Sequence, residues 1–272
     1  MSTTYNLELN IIIRKWFMLA ISVYILLGFY LLYVTYSKPY LGIDIKEING
    51  NWVVENSYGP LLNGQEISTN DMILKIDNVP IDAIPYVKDD FVIRAANTLT
   101  ILKPDGQTID VEVSSLDFTE HFYFVLVIPG CYYFLTFFIV LYLYCKQKNT
   151  SLLRLLILFM LSVSIAYLSS GASGSLNSIG IIVNRGSMLL CLVLFLHFLR
   201  NYFIFLKANW ILSNNIKLFY LLPIIAMLFG YIGIIYYDLH DFLSNIVLTV
   251  FLIFLITILG ILLLSYFKYK SP

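Results

Sequence analysis

Six apolar runs, each long enough to cross a lipid bilayer, leave this chain few architectures. A spanning helix needs roughly 20 apolar residues to traverse a hydrocarbon core about 30 Å thick. Residues 16–36 form the first run, which carries no charge and follows Arg14-Lys15. The others are 122–144, 152–170, a stretch within 179–206 that has Arg185 and Arg200 near its ends, 218–237, and a stretch within 242–267. Lipid offers no hydrogen bonds, so each run must satisfy its own backbone as a helix. The first run begins like a signal peptide, but it is too long and lacks a small-x-small cleavage pattern. It is expected to stay as an uncleaved signal anchor.

Composition agrees. Apolar types make up 59% of the 272 residues and charged types only 12%, against about 25% in a soluble domain. A formal net charge of zero argues against a nucleic-acid partner.

The charges are segregated along the chain. Fourteen of the 17 acids lie between Asp44 and Glu120. Arg14, Lys15, Lys146, Lys148, Arg154, Arg200, Lys207, Lys217, Lys268 and Lys270 fall in the segments on the other side, with Glu8 the acid among them. Basic residues are retained in the cytoplasm, so both termini are expected inside and residues 37–121 outside. Asp238 and Asp241 then form the outer turn between the last two helices. The expected architecture is a polytopic α-helical membrane protein with about six transmembrane helices and a small α+β extracytoplasmic domain. Its divisions are a cytoplasmic N-terminus with the first helix (1–36), the external domain (37–121) and a five-helix membrane domain (122–272).

The external segment has a recognisable pattern. Tyr40-Leu41-Gly42-Ile43 precedes the alternating Asp44-Ile45-Lys46-Glu47-Ile48. Asn70-Asp71-Met72-Ile73-Leu74-Lys75-Ile76-Asp77-Asn78-Val79-Pro80-Ile81 follows after a small insertion at 61–67, with Asn70 where a glycine is usual. Thr98 to Leu102 and Ile109 to Val113 flank Pro104-Asp105-Gly106 as a closing hairpin. Together these resemble a PDZ domain. That resemblance implies a carboxylate-binding loop at Tyr40, Leu41, Gly42 and Ile43, whose backbone N–H groups hold a peptide terminus while the next strand pairs with the peptide. The same segment also reads as a plain strand entry in a spacer or dimer contact. Four extended residues reach at most about 13 Å, so Tyr40 must lie close to the outer lipid surface. A lipidated peptide partitions there and searches in two dimensions.

Catalytic signals are sparse. His121, His197 and His240 are the histidines, and none sits in His-Glu-x-x-His, so no metal site is expected. Cys131, Cys145 and Cys191 lie in apolar runs and imply no disulfide framework. Gly171-Ala172-Ser173-Gly174 has the Gly-x-Ser-Gly form of rhomboid intramembrane proteases, with His240 as the partner such chemistry requires. The same residues, with Ser175, read as a flexible outward-facing loop. His197 before Phe198-Leu199-Arg200 reads as a residue that snorkels to the inner interface beside Arg200. Asn184-Arg185, at the outer end of the fourth helix, is either an interfacial anchor or a ligand contact. A charge at that depth must pair or reach water.

Three further stretches run in order along the chain. Asn56-Ser57-Tyr58-Gly59 precedes Asp71 to Ile76. Ser164-Ile165-Ala166-Tyr167-Leu168-Ser169-Ser170-Gly171 is followed by Val183-Asn184-Arg185. Leu196-His197-Phe198-Leu199-Arg200-Asn201-Tyr202 closes the fourth run. In this the chain resembles the N-terminal sensor half of the ComP family, the competence quorum-sensing histidine kinases. The resemblance implies a plasma-membrane receptor module, often dimeric, for a secreted isoprenyl-modified peptide pheromone, in contact with membrane lipids. The PDZ-like loop Tyr40 to Ile43 and the costly charge at Asn184 and Arg185 are the expected ligand contacts, and the resemblance implies a response regulator reached only through a kinase half. That half, with its phosphoacceptor helix and ATP site, has no counterpart in these residues, so no catalytic residue and no cofactor is expected here. The alternative is a membrane-embedded protease, or a PDZ-containing partner of one.

Overall fold

The computed structural model describes residues 2–38, 40–57, 67–84, 87, 91–113, 123–146, 150–206, 216–236 and 239–270. Tyr58, Gly59, Lys148, Lys207, Asp238 and nearly all of the 61–67 insertion lie outside them.

Among the described residues six helices are long and apolar enough to cross a membrane. They are α1 (Ser2–Ser37), α2 (Ile128–Lys146, entered through a π-helical turn at Tyr123–Val127), α3 (Ser151–Gly174), α4 (Ser178–Phe205), α5 (Leu221–Ile235, preceded by a helical turn at Ile216–Phe219) and α6 (His240–Lys270). The apolar windows within them fall where the six runs predict, so hydropathy located every span.

One reading changes. Gly171-Ala172-Ser173-Gly174 is the last turn of α3, and the connection to α4 is only Ser175, Leu176 and Asn177. The small residues are there for close packing. A Cβ on Gly171 would lie 2.8 Å from Thr35 and Val125 side-chain carbons. Membrane helices approach through such small residues because lipid gives little hydrophobic drive to associate. Both caps are supplied locally. Asn177 Oδ1 accepts from Gly180 N at 2.8 Å, and Thr150 Oγ1 accepts from Leu153 N at 3.2 Å.

The amino-terminal helices are tied by buried polar contacts. Tyr24 Oη donates to the Tyr133 carbonyl, Tyr133 Oη donates to the Tyr24 carbonyl, each at 3.2 Å, and Tyr24 Oη meets Ser164 Oγ at 2.8 Å. The two rings stack with centroids 4.6 Å apart. This joins α1, α2 and α3.

The polar segment folds into a seven-stranded antiparallel sheet. β1 (Ile43–Ile48) and β2 (Asn51–Ser57) form a hairpin whose turn is Asn49-Gly50, with φ of 53° and 79°. Asn-Gly suits this turn because both positions need positive φ. β3 (Met72–Ile76), β4 (Val79–Pro80), β5 (Val92–Ile93), β6 (Thr98–Leu102) and β7 (Thr108–Glu112) complete the order β5-β1-β2-β3-β6-β7, with β4 on β3. Asn70 and Asn78 adopt φ of 76° and 64°, so they take left-handed positions that asparagine tolerates better than most residues. Alternation then decides the faces. Ile43, Ile45, Val54, Ile73, Leu99, Ile101 and Val111 enter one core with Trp52, while Asp44, Lys46, Asp110 and Glu112 point away.

Candidate functional site

The proposed loop sits at the junction of sheet and helices, but it is built differently from a peptide-receiving groove. Leu41 and Ile43 are each 1% exposed and belong to the core of the sheet, so their side chains line no groove. Leu41 N donates to the Arg94 carbonyl and Ile45 N to the Phe91 carbonyl, both at 2.9 Å. Ile43 and Asp44 pair with Ile93 and Val92 of β5. Strand addition needs an open edge, and here residues 91–94 of the same chain occupy that edge. The expectation of a free edge at 43–45 is therefore corrected. Gly42 does adopt the left-handed conformation, φ 59°, and a Cβ there would lie 2.8 Å from the Tyr40 ring. A bulky residue at 42 would test folding rather than binding.

What the junction offers instead is a pair of cavities. The first, about 390 Å³, is lined by Tyr40, Val92, Phe124 and Val125, and by the small end of α3 at Ser170 and Gly171. The second, about 360 Å³, is lined by Ser173, Asn184, Arg185, His240, Ser244 and Asn245 among others. Arg94, Ser170 and Gly174 border both. Of the residues named from sequence, Tyr40 thus lies on the first cavity, and Asn184 and Arg185 on the second. Leu41 and Ile43 belong to the core of the sheet, and Gly42 lines neither cavity.

Arg185 is only 6% exposed. Its Nη1 donates to the Phe229 carbonyl of α5 at 3.0 Å. Its Nη2 donates to the His240 carbonyl at 3.2 Å and to Ser244 Oγ, both on α6, and lies 3.4 Å from His240 Nε2. It is therefore a tie between three helices as well as a cavity wall, and it sits two turns inside α4 rather than at its tip. A Cβ on Gly233 would lie 3.3 Å from the Arg185 guanidinium and from His240 Cα, which is why α5 presents a glycine there. Asn184, on the same cavity, commits its amide to α3, Nδ2 donating to the Ala166 carbonyl at 3.0 Å and Ser169 Oγ at 3.3 Å.

Arg94 was missed from sequence. It stands in a short run after β5, and nothing local links it to positions 170 or 185. Phe124, Val125 and Ser244 were missed for the same reason.

Ser173 and His240 share the second cavity. Ser173 is helical, so its backbone N–H belongs to the helix ladder and is not an oxyanion donor. His240 is tied to Arg185 through both its ring and its carbonyl. At the far end of α4, His197 Nδ1 meets Tyr220 Oη at 2.8 Å, half-buried between helices. No cluster of three metal-ligating side chains occurs among the described residues.

The chain is 26% identical over 224 residues to the sensor histidine kinase ComP of Bacillus subtilis (strain 168). That similarity covers 78% of this chain and 28% of the relative, so the chain spans under a third of that protein's length. No protein-family model matches it, and no solved structure does. With six spanning helices and a small antiparallel sheet, the similarity supports a sensory membrane protein of the sensor-kinase kind.

Proposed function

We propose that this chain is the sensing module of a two-component quorum-sensing receptor, binding a secreted, lipid-modified peptide pheromone that controls competence. The observation that carries the reading is the similarity to a sensor histidine kinase across 78% of the chain, through both sheet and helices. The paired cavities support it, because they lie between the two parts a ligand must couple. In this reading the sheet faces the outside of the plasma membrane, both termini are cytoplasmic and the receptor is a homodimer. Phosphate passes to a response regulator through a kinase half that needs ATP and is not among these residues.

The ligand enters from the bilayer. Phe124, at the start of the second span, is 65% exposed and lines the first cavity. Each buried CH₂ contributes about 0.8 kcal/mol, so an isoprenyl chain supplies much of the affinity. A protease reading, embedded or PDZ-associated, is kept only for the shared position of Ser173 and His240.

Two experiments check this. Single cysteines at Asp105 and Lys270 should be labelled by a membrane-impermeant maleimide from outside and inside respectively. Outside labelling at 270 would end the even-helix topology. A farnesylated peptide carrying a diazirine should crosslink to residues around Tyr40, Phe124 and Arg185. Crosslinks restricted to the cytoplasmic side of the helices would remove the site.

A further inference from the structure

A further cavity lies at the end of the helices away from the sheet. About 560 Å³ in volume, it sits where α2 ends at Lys146, α3 begins at Ser151 and α4 nears its end at Phe205. Its lining is ordered by depth. Lys146 and Thr150 come from the helix ends, and Lys146 is exposed. Leu153 and Leu156 line it from α3, and Phe198 and Tyr202 from α4. At 1.5 Å per residue, Leu156 and Phe198 lie roughly 10 Å inside the ends of their helices. The apolar wall is already built, since the Phe198 ring stacks on Phe195 and on Tyr202 with centroids 6.5 and 6.1 Å away. The start of α3 meets the same space. Thr150 Oγ1 accepts from Leu153 N and the Thr150 carbonyl from Arg154 N. The Ser151 and Leu152 N–H groups precede the helix ladder and have no acceptor within it. Charge there has one sign, because from residue 121 to residue 237 the chain contains no Asp or Glu.

We infer that this cavity holds one anionic phospholipid of the leaflet away from the sheet, its phosphate at Lys146 and the first turn of α3 and an acyl chain along Leu153, Leu156 and Phe198. A phospholipid has the same order of chemistry with depth, charge at the water boundary and hydrocarbon inward. The positive end of a helix dipole and its leading N–H groups favour a phosphate. A lysine at the membrane boundary keeps its stem along hydrocarbon and its charge at headgroup level, where anionic lipids attract it. A zwitterionic lipid would bring a second, positive group to helices that carry no acid to receive it. The position also has a consequence. The other end of α3 supplies Ser170, Gly171 and Gly174 to the junction cavities, so a lipid at its first turn braces the helix that walls them. This site needs only the helices and a bilayer, whatever ligand the junction takes.

The test uses the full chain in phosphatidylcholine nanodiscs and a phosphatidylglycerol probe with a diazirine in one acyl chain. Labels should map to α3 near Leu153 and Leu156 and to α4 near Phe198. Unlabelled phosphatidylglycerol should displace the probe, and further phosphatidylcholine should not. Lys146→Gln should raise the half-saturating phosphatidylglycerol content about fivefold, the size expected for one lysine at an anionic surface. Lys146 is exposed, so its replacement leaves the packing of the helices intact. Lys146→Arg should restore the wild-type content. Lys217→Gln should change nothing, because Lys217 precedes α5 on the same side but does not line the cavity. Equal displacement by the two lipids, or an unchanged content in Lys146→Gln, overturns the headgroup assignment. Displacement by inorganic phosphate as effective as by phosphatidylglycerol would assign Lys146 to a free anion and overturn the lipid. Labels spread evenly over the exposed faces of α1 and α6 would show only the surrounding bilayer and end the idea of a site.

Discussion

Gly180→Val should leave little correctly assembled protein. Gly180 is in the first turn of α4, where the chain has just reversed from α3 through three residues. A Cβ at 180 would lie 2.7 Å from the Ala172 carbonyl carbon and Cβ, and 2.8 Å from Ser173 N. Two of those atoms are backbone and cannot rotate away. The reversal is also pinned at this point. Asn177 N donates to the Ala172 carbonyl at 3.0 Å, and its side chain caps Gly180. Relief therefore requires α3 and α4 to separate, with loss of the buried contacts of Leu168, Ala172 and Ile181. Overpacking usually costs about 1–3 kcal/mol, and a backbone collision belongs at or above the top of that range. Gly260→Val is the matched control, since a Cβ there meets nothing within 4 Å. The check is the midpoint of an SDS unfolding titration. It should drop sharply for the first variant and stay within error for the second. An unchanged midpoint at 180 would mean the α3–α4 approach is looser than described.

That pair of glycines shows why part of the fold was legible and part was not. Spans are set by summed hydropathy over twenty residues, a signal each run carries alone. Strands β1, β3, β6 and β7 show their alternation, and Pro104-Asp105-Gly106 shows its turn, because these are local patterns; β2 and its Asn49-Gly50 turn were passed over. Gly171 to Gly174 misled for a physical reason. Small residues favour loops in water, yet in a membrane they permit close helix contact, and composition alone does not distinguish the two. The site was half legible. Arg185 drew notice because a charge at that depth is costly, but its three-helix contacts depend on α5 and α6. Arg94 drew none, since its importance comes from a two-residue strand pairing with β1. The same short strand closes the edge that Tyr40 to Ile48 seemed to offer a guest. Two residues are too few to carry a periodic signal, so the correction required the pairing itself.

Lys103→Met should unfold the sheet while leaving the helices in place. Asp71 is completely buried, and its Oδ2 accepts from Ser68 N at 2.8 Å and from Lys103 Nζ at 2.6 Å. The lysine is 22% exposed, so its stem packs while its ammonium meets the carboxylate. Asp71 Oδ1 has no partner among the described residues, which makes the lysine's charge the more important. Removing one member of a buried ion pair costs about 3–5 kcal/mol, because the charge left behind is uncompensated. The position matters to the whole sheet. The Asp71 carbonyl accepts from Val54 N at 2.8 Å, joining the β3 entry to β2, while Lys103 closes the β6–β7 hairpin through its N–H to the Gln107 carbonyl at 2.8 Å. Trp52 reports on this region, being 5% exposed with its indole N–H on Asp82 at 2.7 Å. Urea unfolding followed by Trp52 fluorescence, with Trp16 and Trp210 replaced by Phe, should show a large fall in midpoint for Lys103→Met. Adding Asp71→Asn should recover much of the loss, since an amide needs no cation. A double variant as unstable as the single would show that Lys103 acts through packing of its stem, and the buried-charge account would fall.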